Sequence, residues 1–396
     1  MTDKELKDAG IVELKKTTVG YLKSNGAPRW PEGPPAGSQW RKGLDLFAQI
    51  GAVVEPPPPP PPPPTGTLPR TITTGGTYKG SIVGDGANAA VKIQTAQPVI
   101  IEDSYIKNTG ASPLIDANFA GAQLTVRRTT LEGAPGSVGK AVYGYGFKSI
   151  RVENCTILHT WGIRLDAIQA GGTIVVTKNK GRNMVRSPGD WSHFFQAANA
   201  TQQPALFDVS WNEIINEFGK SGVEDVINMY GGAGWAKIHD NYINGAYPDT
   251  LAGGYSGSGI ICDAGAHDCE IYNNIILNTV NLGIGFYSAG ANNWAHDNRL
   301  IFDGRDDAGN LFAAANVGLM AWNADSHPNW GNNRMTNNVV GWVKANGQRN
   351  DMWLPDASAY YGQNTGLPDP ITKATEQAEW QRWLDKLAAN GVTVGA

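Results

Sequence analysis

Five short segments between residues 140 and 261 place ionisable and amide side chains at matching positions. They are "KAVY" from Lys140, "DAIQ" from Asp166, "HFFQ" from His193, "DVIN" from Asp225 and "SGII" from Ser258. Aligned on one another, their first position reads Lys140, Asp166, His193, Asp225, Ser258, and their fourth reads Tyr143, Gln169, Gln196, Asn228, Ile261. The third position is always apolar or aromatic, as expected of a residue facing a core. Two acids with a histidine between them, and Glu224 beside Asp225, are the residue types of general acid–base chemistry. The amides and the hydroxyl next to them suit a polyhydroxylated ligand that is held by hydrogen bonds. The later segments "LGIG" and "VGLM" carry no ionisable group at these sites, so the polar set is confined to four or five repeats. The alternative is a solvated outer face that binds nothing.

Such a column needs an element that repeats. Nine segments, from "VIIEDSYI" to "NRMTNNVV", carry a small polar residue at one register: Ser104, Thr129, Cys155, Asn179, Asn212, Asn241, Asn274, Asn298 and Asn338. Their spacing of 24 to 40 residues is that of a solenoid coil with loops of variable length. At a bend between strands, asparagine tolerates left-handed backbone geometry and offers both a donor and an acceptor. Stacked on successive coils, the six asparagines are expected to bond one another as a ladder. Coils then lie ~4.8 Å apart, the spacing of paired strands. Glycine makes up 49 of 396 residues and charged residues only 17%, a mix that favours short strands and polar turns. The expected fold is therefore all-β, a right-handed parallel β-helix over residues 69–355, with a β-sandwich as the alternative.

The pattern resembles the parallel β-helix of pectate lyases, polygalacturonases and phage tailspikes. Polygalacturonase-type glycoside hydrolases carry two aspartates and a histidine at this strand entrance on successive coils. "RLDAIQ" looks like their first acidic element and "VEDVIN" like their acidic pair, whereas "SGSGII" has Ser258 where their histidine element falls. The resemblance implies catalytic roles for Asp166, His193, Glu224 and Asp225, and substrate contacts from Lys140, Tyr143, Gln169, Gln196 and Asn228. Coil stacking alone would put the backbones of Asp166 and Asp225 about 9 to 10 Å apart. Carboxyl groups at ~6.5–9.5 Å suit an inverting hydrolase. His193 between two carboxylates is expected to have a raised pKa. Glycan binding without cleavage is equally open.

The rest of the chain frames that body. Residues 53–68 contain nine consecutive prolines, which form a semi-rigid polyproline II spacer of roughly 28 Å at ~3.1 Å per residue. Residues 1–52 precede it, with a helix signal in "SQWRKGLDLFAQIG" whose apolar stripe needs a partner. Together with "VELKKTTVGYLKS", this region resembles the N-terminal part of minor tail proteins of phages that infect actinobacteria. That resemblance implies a virion tail protein, assembled in the host cytoplasm and joined to other tail proteins through residues 1–52. The tailspike resemblance implies a homotrimer, and a cell-surface polysaccharide is the expected ligand. In residues 356–396, "TKATEQAEWQRWLDKLAANG" reads as a helix with Trp380, Trp383, Leu384 and Leu387 on one side, placed to cover the open end of the solenoid. A net charge of −4 gives no footprint for nucleic acid, and no apolar run has the length for membrane insertion. The three cysteines read as buried small side chains. The repeated His-Asp pairs "IHDN", "AHDC" and "AHDN" read as turn chemistry, and there is no calcium-loop run, so neither a metal nor a cofactor is expected.

Overall fold

The computed structural model describes residues 65–134, 139–185, 191–247 and 256–396. The chain divides by its internal contacts into residues 1–62 and 63–396. The N-terminal segment 1–52 and the proline run therefore lie outside the described residues. The larger unit is a parallel β-helix. Three sheets of 11, 10 and 11 strands are built so that, away from the ends, each strand pairs with the strand three before it and three after it. One coil thus contributes one strand to each sheet. Pairing begins at the bridge between Thr67 and Ser81 and ends where Thr365–Gly366 joins Val339 and Val340.

Strand length and alternation explain the winding. Most strands have three to six residues, and Ser149–Glu153 is typical, with Ile150 and Val152 buried and its other three side chains half-buried. Inward Ile, Val, Leu and Phe side chains from all three sheets fill one continuous core along the axis. Parallel pairing leaves the bend between the second and third sheets to be solved once per coil, and one device solves it throughout. Asp103, Arg128, Asn154, Lys178, Trp211, Asp240, Asn273, Asp297 and Asn337 all adopt positive φ, between 47° and 58°. Each immediately precedes a residue of the expected column, so the left-handed turn falls one position before the ladder residue.

The ladder itself forms. Asn212 Oδ1 accepts from the backbone N–H of Asn179 at 3.1 Å and from its Nδ2 at 2.9 Å, and Asn179 Nδ2 also donates to Val152 O at 3.0 Å. The same arrangement repeats through Asn241, Asn274, Asn298 and Asn338, and Asn364 continues it by one coil. All six predicted asparagines are fully buried, so each amide replaces water for backbone groups that the bend leaves unpaired. A second, shorter ladder links Cys269, Asn293 and Asn333 between the first and second sheets. The three cysteines are free and buried.

The C-terminal helix, α1 (Lys373–Asn390), corrects an expectation. It begins with a capping box between Thr372 and Thr375 and stops at Gly391 in left-handed geometry. It runs along the outer face of the third sheet and does not cover the end. Trp383 packs there against Tyr242, Ile275, Leu277 and Ile301, while Leu384 is exposed. The physical reason is the sheet's own outer face, which carries apolar side chains and needs cover. Glu379 accepts two bonds from Arg299, at 2.7 and 2.6 Å, and Trp383 Nε1 donates to Glu213 Oε2 at 2.9 Å. Beyond the helix, Asn154 Nδ2 donates to Thr393 O and the Gly395 N–H to Lys178 O, which ties the tail to distant coils.

Candidate functional site

Seven consecutive strands of the first sheet frame this face, and the predicted polar set lies on or beside the first five: β1 (Val142–Tyr145), β2 (Ile163–Asp166), β3 (Phe195–Ala198), β4 (Asp225–Tyr230), β5 (Ser258–Asp263), β6 (Leu282–Tyr287) and β7 (Val317–Trp322). Their pairing fixes which side chains are neighbours. One outward row reads Tyr143, Arg164, Gln196, Asn228, Ile261. The row two residues further along runs from Tyr145 through Asp166 and Ala198 to Tyr230, and continues with Asp263, Tyr287 and Trp322. At the strand entrance, His193 donates its backbone N–H to Trp161 O, and Asp225 pairs with Ser258.

Two predicted residues therefore sit elsewhere. Trp161 holds the entrance position expected for Asp166, and Arg164 holds the position expected for Gln169. The repeating unit of this coil is "WGIRLD" and not "DAIQ". Gly162 turns the corner at φ 96°, where a Cβ would lie 2.0 Å from His193 O. Ile163 and Leu165 then face the core. Gln169 lies beyond the strand and donates Nε2 to Gly146 O at 3.0 Å. Asp166 lines up with Tyr230, five residues along β4 from Asp225, or roughly 16 Å of extended strand. That offset removes Asp166 and Asp225 from the range of a hydrolase carboxyl pair. Asp166 instead receives Arg164 Nε at 2.9 Å.

The other residues do assemble. Lys140 and Tyr143 line a depression with Arg164, Asp116 and Asn118. One coil further on, His193, Gln196, Glu224, Asp225 and Asn228 form a connected cluster. His193 Nδ1 donates to Asp225 O at 2.9 Å, which leaves Nε2 as an acceptor. Gln196 Nε2 donates to His193 Nε2 at 3.2 Å and to Asn228 Oδ1 at 3.1 Å. Asn228 Nδ2 donates to Asp225 Oδ2 at 3.0 Å. His193 is fully buried, with its ring edge-on to Trp161 at 5.0 Å.

Burial decides the electrostatics here. It holds the His193 pKa down at about 3, helped by the positive charges of Arg164 and Lys140. The raised value expected from flanking carboxylates is not found, because desolvation outweighs them and Asp166 is remote. Burial pushes the Asp225 carboxyl up to about 6, partly offset by the nearby Ser258 hydroxyl and then by the Asn228 amide. Asp263 on the next strand rises to about 8, through burial and then through the charge of Asp225. The sequence offered Asp263 only as a turn residue that could bind calcium and did not place it on this face, although "SGIICD" has the same length and alternation as "DVINMY".

Also missed was an aromatic row. Tyr145, Tyr230, Trp322 and Trp353 are exposed on this face. Tyr287 lies edge-on to Trp322 at 5.5 Å, and Trp322 lies 5.0 Å from Trp353. The His-Asp repeats are turn chemistry of the second sheet, with Nδ1–Oδ2 distances of 2.6 to 2.7 Å inside each pair.

Among the described residues, six buried side-chain polar atoms lack a hydrogen-bond partner: Trp161 Nε1, Asp166 Oδ1, Gln196 Oε1, Ser258 Oγ, Asp263 Oδ1 and Trp342 Nε1. All but Trp342 belong to this one face. Buried polar groups are otherwise paired in folded proteins, so such a concentration calls for a cause. Fold and face together define a parallel β-helix whose first-sheet face is polar at its centre and aromatic toward its C-terminal coils. Comparisons of the chain with protein-family models, with curated proteins and with solved structures found no match.

Proposed function

We propose that the protein is a tail-fibre or tailspike-like component of a phage virion, and that the open face of its first sheet recognises a polysaccharide on the host cell surface. The observation that carries this reading is the clustering of five unpartnered buried polar atoms on a face that also exposes aromatic side chains. A glycan supplies what both need, hydroxyl groups for the polar atoms and apolar ring faces for tyrosine and tryptophan. Coils ~4.8 Å apart offer a regular series of contacts to a linear polymer lying along the axis. The resemblance of residues 1–52 to tail-protein N-termini and the proline spacer support attachment at that end. Association as a homotrimer belongs to the same reading.

The test is retention of the full-length protein on host cell-wall polysaccharide. Wild type should be retained, and Tyr230→Ala with Trp322→Ala should weaken retention at least about tenfold, since stacked aromatics contribute ~1 kcal/mol or more each. Retention unchanged in that double variant would move recognition off this face. Cleavage is a second reading, favoured by the raised pKa values of Asp225 and Asp263 on adjacent strands, which suit proton transfer near neutrality. Release of reducing ends by wild type, abolished in Asp225→Asn, would establish it. No release would leave binding alone.

A further inference from the structure

We propose that His193, Glu224 and Asp225 form a site for one divalent transition-metal ion of the zinc type. One ligand atom from each residue can be chosen so that all lie within 4.8 Å of one another. His193 Nε2 and Glu224 Oε2 are 3.7 Å apart. Around a tetrahedral ion with Zn–N and Zn–O bonds of ~2.0–2.2 Å, ligand atoms stand about 3.4 Å from one another. The separations to the Asp225 carboxylate also fall within the 4.8 Å limit of the set.

Two further features prepare the imidazole and the space around it. The Nδ1–H of His193 is committed to Asp225 O at 2.9 Å, which fixes the tautomer with its Nε2 lone pair turned toward the carboxylates. A ligating histidine is oriented in this way by a backbone carbonyl bonded to its other nitrogen. Ser258 is fully buried opposite Asp225, and its Oγ has no partner. It borders the fourth position, which three protein ligands leave open. An imidazole among the donors selects zinc, or kindred ions such as cobalt and nickel, over calcium and magnesium, which take oxygen ligands. Binding requires Gln196 Nε2 to give up its bond to His193 Nε2. That amide keeps its second bond, to Asn228 Oδ1.

The site does not depend on glycan recognition, and its test uses metal alone. Full-length protein stripped with EDTA is titrated with Zn2+ by calorimetry and with Co2+ by visible absorption. One ion should bind per chain, Co2+ should give the bands of a four- or five-coordinate centre, and saturating Zn2+ should raise the melting midpoint. Glu224→Gln should weaken binding at least about tenfold. Gln196→Ala removes the competing donor and should bind at least as tightly as wild type. Absence of saturable binding would overturn the proposal. Wild-type affinity in both Glu224→Gln and Asp225→Asn would also overturn it, by placing the ion at a surface His-Asp pair. Weakened binding in Gln196→Ala would overturn the assignment of Nε2 as a ligand.

Discussion

The first and third sheets belong to the same coils, yet their outer faces end differently. The third sheet is covered by α1, and its buried polar groups are closed: Glu379 by Arg299, Glu213 by Trp383 Nε1, and Glu376 by the backbone N–H of Asp303 at 2.8 Å. None of these appears among the unpartnered atoms. No helix lies over the first sheet among the described residues, and five of its side chains keep a buried polar atom without a partner. Where the chain supplies its own covering segment, polar burial is completed internally. Where it supplies none, the open valences point to a partner from outside.

The largest expected effect is on the covered face. Trp383→Ala should destabilise the protein by ~3–5 kcal/mol, the usual cost of deleting a buried aromatic, read as a lower denaturation midpoint. A midpoint near wild type would mean that α1 contributes little and that the two faces differ less than their contacts imply. Next is Asn241→Leu in the ladder. It strands the Asn212 backbone N–H, one Nδ2 hydrogen of Asn212 and Val209 O, and should cost about 1–3 kcal/mol.

The open face should respond to pH instead. Asp263 has a folded pKa raised to about 8, so the folded state holds a proton that the unfolded chain gives up near its ordinary value. Its contribution is greatest in acid and is lost as pH rises from about 4 to about 8. Asp263→Asn should flatten that part of the stability profile, and an unchanged profile would show that the carboxyl is ionised when folded. The smallest effect belongs to Ser258→Ala. Its Oγ is buried without a partner, so removal should leave the midpoint within ~0.5 kcal/mol of wild type or raise it. A substantial loss would mean that the hydroxyl has an internal role and that this valence is not open.

These contrasts also show what the sequence could and could not reveal. The ladder was legible because the same side chain must recur wherever the same bend recurs, and asparagine is the residue type that can bond both to its copy and to backbone. The left-handed residue before it was not legible. Lys178, Trp211 and Asp297 share nothing but that conformation, which is imposed by the coils on either side. The site was half legible. Lys140, His193, Asp225 and Ser258 fall at the expected register, because each stands two residues before a core-facing position. Asp166 and Gln169 were misplaced because "DAIQ" mimics the polar pattern of "DVIN". The apolar alternation of "WGIRLD", with its corner glycine, is the constraint that packing enforces. Trp383 and Glu379 were legible as helix residues only, since nothing local says which face of a solenoid a helix will cover.

The tail beyond α1 has a consequence for how the molecule comes apart. In a solenoid each coil touches only its neighbours, so unfolding can begin at an end and advance coil by coil. Here Asn154 Nδ2 reaches Thr393 O at 2.7 Å and the Ala396 N–H reaches Thr156 Oγ1 at 3.0 Å, both across about 240 residues of chain. Fraying from the C-terminal coils cannot proceed without first detaching a segment anchored midway along the stack. The closing segment thus turns a one-dimensional array into a longer cooperative unit. Its benefit should appear as slow unfolding rather than as equilibrium stability alone.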